Sequence, residues 1–261
     1  MNFPFGAPVA KLRQSPIAGA QFFFLGVYAS AVHARWLNPD GSPRHGALAV
    51  ASEPCIFWRG EDASAIVEEL SASLPAGAGS LKPASSHLNG PSGVALDDWY
   101  LGPLGLTRSS AWLCDLLPES RTNAGQAAAL AKWYEPVREA LGLPEVSMLP
   151  VPTRFANDQR VEEIVEEFLL SGATTLVTLG DKPLEEFAAR LRLVDKATVG
   201  AFGRTPAHYG RRHPFVLRGR RFELLPLVHP RHPGQIGTHV AGWRDLHRQW
   251  AARQAPPPGR T

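Results

Sequence analysis

Four apolar runs of strand length, each ending in a turn that leads into a helix-like stretch, constrain this chain more than any other feature. Gln21-Phe22-Phe23-Phe24-Leu25 ends at Gly26, and Ser110–Leu117 runs into Pro118. Thr174–Leu179 ends at Gly180-Asp181, and Arg221–Val228 ends at His229-Pro230. Helical spacing follows in Ala63–Ser73, Val94–Leu104, Asn123–Leu141 (with Asn123 as its cap), Arg160–Ser171, Leu184–Arg192 and Val240–Arg253. Repetition of strand, loop and helix argues for a parallel sheet between helical layers. The expected fold is α/β, a three-layer α/β/α sandwich around a mainly parallel four-stranded sheet. Another strand is expected in Ala47–Ser52, after the turn Leu37-Asn38-Pro39-Asp40-Gly41. Residues 1–20 read as an extended arm, Val27–His33 as a loop or short helical turn, and the Pro-, Gly- and Ser-rich Leu74–Gly93 as loop.

Composition sets the class. A chain of 261 residues, 44% hydrophobic and 20% charged, has ample core for one domain over residues 1–254, and the triple-proline tail 255–261 reads as disordered. No apolar run approaches the roughly 20 residues of a membrane span, and the N-terminus lacks the pattern of a signal peptide. Two cysteines, Cys55 and Cys114, cannot frame a metal or iron–sulfur site alone. A reduced, cytoplasmic protein without membrane, metal or cofactor is the expectation. Net charge is only +3, yet Arg190, Arg192, Lys196, Arg204, Arg211, Arg212, Arg218, Arg220 and Arg221 share one stretch with Asp195 as its only acid. Such a face suits a phosphate backbone, and it equally suits plain solvated surface.

The last strand-to-loop junction, Leu224 to Gly234, carries the most chemistry. Pro230 and Pro233 stiffen the turn, which holds His229 at the rim of the sheet. Ligands bind outside the carboxyl ends of strands in α/β sheets, and a histidine fixed there is placed to donate a hydrogen bond where negative charge develops. Alone, the loop reads first as a proline-rich surface turn with an incidental histidine.

Taken together, the strand ends resemble those of the uracil-DNA glycosylase superfamily, and most closely its iron–sulfur branch. The resemblance rests on Leu25-Gly26 and on Gly90-Pro91-Ser92-Gly93 with the helix reaching Leu104-Gly105-Leu106-Thr107-Arg108. It continues through Ala111–Leu117 with Arg121 and Asn123, then Leu179-Gly180, and last His229-Pro230 followed by Trp243-Arg244-Asp245-Leu246. Order and spacing hold from Phe22 to Trp250, apart from an insertion at about 33–86. The resemblance implies a monomeric enzyme that flips a base out of DNA and hydrolyses its N-glycosidic bond. His229 would stabilise the departing base anion. Gly26, Val27, Leu88 and Asn89 would line the base, and Arg231 or His232 would lie near the gap it leaves. Ser92, Gly93 and Arg121 would lie near phosphates, with Arg211 and Arg212 on the DNA face.

Departures from the family pattern are as informative. The first loop, Gly26-Val27-Tyr28-Ala29-Ser30, lacks the acid or asparagine that positions water in relatives. Tyr28 or Ser30 is left to hold it, Asp40, Asp97 or Glu119 to approach from elsewhere, or the reaction to be largely dissociative. Glu119 stands where a cluster cysteine would fall, so no iron–sulfur cluster is expected. Leu88 stands near the usual base-stacking aromatic, leaving Tyr28, Phe57 or Trp58 to supply a ring, with core packing the expectation for Phe57. Asp115 replaces the asparagine that reads uracil. An ionised carboxylate only accepts hydrogen bonds, which suits the N4 amino group of cytosine; alternatively Asp115 caps the next turn. Excising ordinary cytosine would destroy the host genome, so the expected base is a 5-modified cytosine of the hypermodified phage type, removed in anti-phage defence. The alternatives are uracil excision in repair and a lesion-binding or crosslinking relative without turnover. A small-molecule hydrolase is the competing class, but the chain has no Gly-x-Ser-x-Gly or phosphate-binding fingerprint.

Overall fold

A computed structural model describes residues 1–17 and 19–254; the tail 255–261, read above as disordered, lies outside them. Its strands are β1 (Phe22–Tyr28), β2 (Ala31–Leu37), β3 (Pro43–Ser52), β4 (Ser80–Pro83), β5 (Ala111–Leu117), β6 (Thr175–Leu179), β7 (His213–Leu217) and β8 (Arg220–Leu227). The chain divides into two compact units. One comprises Met1–Leu12, Tyr28–Pro91 and Pro118–Thr153; the other comprises Arg13–Val27, Ser92–Leu117 and the chain from Arg154 onward.

The second unit holds a mixed, mostly parallel sheet of order β5-β1-β6-β8-β7. β1 pairs parallel with β6, and β6 parallel with β8. The sheet has five strands where four were expected. The addition is β7, which returns antiparallel to β8 across Arg218-Gly219, both with positive φ (50° and 75°). That backbone is the tight hairpin turn whose twist matches its flanking strands. Pro226 is tolerated in β8 for a geometric reason. Leu227 turns toward β6, where its carbonyl accepts from Gly180 N–H at 2.7 Å. Its neighbour Pro226 therefore faces the other side, beyond the last β7 pairing at Leu224, so its missing N–H costs no ladder bond.

The helix Asp158–Ser171 covers one face. It starts where the Asn157 side chain accepts from Arg160 N–H at 2.8 Å and ends at Gly172, whose φ of 73° is left-handed. Val161, Ile164, Val165 and Phe168 form its buried stripe. The Phe168 ring meets Phe23 of β1 at 5.4 Å and Phe222 of β8 at 4.8 Å, so one aromatic side chain spans the parallel ladder.

The first unit is built on a three-stranded antiparallel sheet of order β3-β2-β4, beside the helix Ala63–Ala72. The stretch expected as an insertion, 33–86, lies within this unit. Two expectations are corrected here. Val27-Tyr28 ends β1 and Ala31–His33 begins β2, so only Ala29-Ser30 of that stretch is loop, and Leu74–Gly93 contains β4. Both were obscured because Ala, Ser and Pro within them mask the alternation that only pairing reveals. The expected N-terminal arm is also corrected. Phe3 is fully buried against Ala31 and Ala49, and Phe5 packs edge-on to Trp36 at 5.2 Å and Tyr134 at 5.3 Å. The Asn123 cap holds as read, its side chain accepting from Gln126 N–H at 2.9 Å. Among the described residues no helix is long and apolar enough to cross a membrane.

The N-terminal phenylalanines therefore belong to the core. Phe5→Ala is expected to cost about 3–5 kcal/mol in urea unfolding, the usual range for deleting a buried ring. A change below about 1 kcal/mol would return residues 1–12 to the role of an arm.

Candidate functional site

In a sheet that changes direction of winding, ligands bind at the carboxyl ends of the strands where the order switches. Here the chain passes from β1 outward to β5, then to β6 on the other side of β1, so the switch lies between β1 and β6. Leu25 pairs with Thr178 and Leu179 with Leu227, which sets Gly26 level with Leu179. The Gln21 N–H donates to the Ser110 carbonyl at 3.1 Å, so β1 and β5 start side by side, and Asp115, near the end of β5, stands at the same edge of the sheet as Gly26. Asp115, Gly26, Gly180 and His229 thus stand in order along the strand ends.

Side-chain alternation decides which face these residues use. Cys114 Sγ accepts from Arg160 Nη2 at 3.2 Å and so faces the helix Asp158–Ser171; Asp115 faces the opposite way. Phe23 also meets that helix, so Gly26, three residues on, shares the face of Asp115.

His229 is half-buried, and its chemistry is set by one contact. The Arg231 N–H donates to His229 Nδ1 at 3.1 Å. The neutral imidazole therefore carries its proton on Nε2, which is a donor. Burial first, then the charges of Arg231 and His232, push its pKa down to about 4. Gly180 explains the Leu179-Gly180 motif: its φ is 100°, and a Cβ there would lie 3.2 Å from His229 Cβ. The loop after His229 winds through the bonds His232 N–H to His229 carbonyl and Gly234 N–H to Pro230 carbonyl, both 3.0 Å. A Cβ on Gly234 would come 2.7 Å from Ala95 Cβ, so this loop packs closely on the helix Pro91–Leu96, which carries Ser92 and Gly93. Arg231 is exposed, whereas His232 is buried and its Nδ1 accepts from Val240 N–H at 3.1 Å. Of the two residues expected at the gap, only Arg231 can reach a ligand from this loop.

Asp115 is 4% exposed. Burial, opposed by the Arg160 charge, raises its carboxyl pKa to about 7. The expectation of a purely ionised carboxylate is corrected accordingly: near neutral pH both forms are populated. The Arg160 guanidinium donates to the Asp115 backbone carbonyl at 2.8 Å, and its charge is shared with Glu163 at 3.2 Å and Glu167 at 3.0 Å.

Several expected residues belong to the first unit and serve its framework. Asn89 is buried; its Oδ1 accepts from His33 N–H at 2.7 Å while its Nδ2 donates to the His33 carbonyl at 3.0 Å. Its amide is consumed and reads no base. Arg121 pairs with buried Glu119 at 2.7 Å, and Lys11 reaches Glu119 at 3.5 Å, so Arg121 is committed to a carboxylate rather than to phosphate. The Ser30 carbonyl accepts from the Ser120 hydroxyl. Tyr28 is half-buried, with its phenol pKa raised by burial; Leu88 is exposed. Trp58 lies in the core of this unit, whereas Phe57 is half-buried with a φ of 53°, so core packing falls on Trp58 rather than Phe57. None of the carboxylates considered for water activation is uncommitted. Asp40 accepts from Ser42, Asp97 holds Arg108 at 2.9 Å, and Glu119 holds Arg121.

Within the basic stretch, Arg190 pairs with Asp158, Arg218 with Glu162, and Arg212 with Glu223 at 2.8 Å. Arg212 also lies over the Phe22 ring at 5.3 Å, at the strand starts. It lines a cavity of about 460 Å³ there, with Gln21, Phe22, Thr174 and Thr175. Glu223 precedes His229 by roughly 20 Å along the strand at about 3.3 Å per residue. Arg211 and Arg212 are thus not brought to the His229 end. Among the described residues no cluster of three or more His, Cys, Asp or Glu could hold a metal. Sequence reasoning passed over Tyr100, Tyr209 and His247, which surround the end of β8, because residues so far apart carry no spacing signal.

Comparison with protein-family models and with curated proteins gave no match to this chain.

The raised Asp115 value has a thermodynamic consequence. Its folded pKa lies above its unfolded one, so stability present at low pH is lost as pH rises from about 4 to 7. Asp115→Asn lacks this term. By pH 8 the variant should have gained on the order of 4 kcal/mol relative to wild type, compared with their difference at pH 4. His229 and His247, both lowered to about 4, act in the opposite direction below about pH 6.5 in both proteins and cancel in the comparison. Urea unfolding across this range measures it, and a pH-independent difference would place the carboxyl in water.

Proposed function

We propose that the protein is a DNA glycosylase of the uracil-DNA glycosylase type, which flips a modified or damaged pyrimidine out of DNA and hydrolyses its N-glycosidic bond. The observation that carries this reading is His229, a neutral imidazole just beyond the carboxyl end of β8, with Nδ1 occupied and Nε2 as donor. Glycosidic cleavage leaves negative charge on the departing base, and a preorganised donor is the group that lowers that barrier. The proposed reaction is largely dissociative: Nε2–H hydrogen-bonds the base oxygen as the sugar cation forms, DNA phosphates stabilise the cation, and water adds afterwards. Commitment of Asp40, Asp97 and Glu119 to other partners favours this course over one led by a carboxylate base. Arg231, exposed on the loop beyond His229, is the side chain proposed to occupy the gap left in the duplex.

Asp115 is proposed to read the base. The ionised carboxylate accepts from a cytosine N4 amino group and repels a uracil O4. The protonated acid offers one donor and one acceptor, which match either edge. A 5-modified cytosine, met in anti-phage defence, is therefore the proposed substrate at all pH values, and uracil a substrate of the protonated form. The raised pKa of Asp115 is what keeps the uracil reading in play.

Two measurements test this. His229→Ala should lower single-turnover excision by about 10²–10³-fold with little change in DNA affinity; wild-type rates in the variant would remove His229 from the chemistry. With duplexes carrying one uracil or one 5-hydroxymethylcytosine, wild-type action on uracil should fall as pH rises through about 7, while action on the cytosine derivative should not. Asp115→Asn should remove that divergence, and the reading of the base by Asp115 is lost if the two substrates keep parallel pH profiles.

A further inference from the structure

The end of β8 is held by a set of buried hydrogen bonds that the reaction does not itself use. Val228 is 3% exposed, Tyr209 2%, and Tyr100 and His247 0%. The Tyr100 hydroxyl donates to the Val228 carbonyl at 2.6 Å. The Val228 N–H donates to the Tyr209 hydroxyl oxygen at 3.1 Å, and Tyr209 and His247 Nδ1 are 2.7 Å apart. His247 Nε2 lies 2.9 Å from the Trp99 carbonyl, which can only accept. Each direction is therefore determined. His247 carries its proton on Nε2, its Nδ1 accepts from the Tyr209 hydroxyl, and that oxygen in turn accepts from Val228. Trp99 and Tyr100 are consecutive, so the chain of bonds closes on the segment where it began.

The position of this ring matters because of the peptide units it grips. The Val228 carbonyl and the His229 nitrogen belong to one planar peptide, and the Val228 nitrogen belongs to the plane before it. Tyr100 holds the first plane and Tyr209 the second. The two planes that set where the His229 Cα stands are both held by phenol hydroxyls, the second together with the closing ladder bond from Gly180 N–H to the Leu227 carbonyl. Backbone at a strand end has lost its ladder partners, and buried polar groups left unmade cost about 1–3 kcal/mol each; here side chains replace the ladder.

We propose that Tyr100, Tyr209 and His247 are positioning residues for His229, aiming its Nε2 donor at the departing base. This rests on the reading of His229 given above. Tyr209→Phe and Tyr100→Phe keep the rings and delete only the hydroxyls. For His247, Gln retains an acceptor and a donor on one planar group, whereas Leu retains neither.

The test uses the full chain and a duplex carrying one uracil or one 5-hydroxymethylcytosine, whichever the wild type excises. Each Phe variant should slow single-turnover excision by about tenfold to a hundredfold, the effect of a small misplacement, with duplex Kd within about twofold. Added to His229→Ala, neither should slow the reaction further, because the group it positions is gone. His247→Gln should keep most of the rate that His247→Leu loses. A purely structural role would instead give losses that add to His229→Ala and follow the folded fraction. Long-range ¹H–¹⁵N spectra provide a readout that needs no substrate: His229 should be Nε2–H in wild type and a mixture of tautomers in Tyr209→Phe, or in Tyr100→Phe if the former does not fold. Should the wild type cleave neither duplex, the proposed function falls while the spectra still decide the clamp. An unchanged His229 tautomer, or full-rate excision by both Phe variants, would overturn it.

Discussion

The parallel ladder from β1 through β6 to β8 ends in a bond from Gly180 N–H to the Leu227 carbonyl, and the site depends on what that closure permits. Inside the ladder the backbone groups of β1, β6 and β8 pair between strands and the strands are buried, so polar chemistry is drawn to the strand ends. A side chain at position 180 would press on His229, and φ there is one that few other residues adopt. Glycine therefore lets β6 and β8 end side by side, with the histidine standing directly beyond. Gly234 repeats the device one turn later, bringing the loop onto Ala95.

Burial then acts on the two titratable groups in opposite directions. It raises the Asp115 carboxyl to about 7 and lowers the His229 imidazole to about 4, so each moves toward its neutral form. A neutral imidazole with one nitrogen occupied is a donor over the whole physiological range. Arg231 reinforces this by repelling a second proton, and donates the backbone N–H that fixes the tautomer. Arg160 opposes the shift of Asp115, but its own charge is divided between Glu163 and Glu167. Those acids, part of the acidic run 162–167, therefore help keep the carboxyl protonatable.

Most strand ends were legible in the sequence because they depend on local chemistry: apolar runs of the right length, stopped by Pro118, Gly180 and the His229-Pro230 turn, whereas Gly26 did not stop β1, which runs on to Tyr28. Helix caps were legible for the same reason, Asn123 being the plain case. β4 and β7 were not. Their residues have no strand character until a partner strand supplies the hydrogen bonds, and β7 exists only as the return of β8 across Arg218-Gly219.

The candidate site divides along the same line. By itself the sequence determined which residue types stand at the strand ends, and so placed His229, Asp115 and Gly26 on one edge of a sheet. Only the tertiary structure decided their chemical state and their rivals. It took Asn89, Arg121 and His232 into framework bonds, turned Arg212 toward the strand starts, and surrounded Val228 with Tyr100, Tyr209 and His247. The physical reason is that a pKa, a tautomer or a committed hydrogen bond is a property of neighbours in space, and those neighbours come from segments the chain keeps far apart.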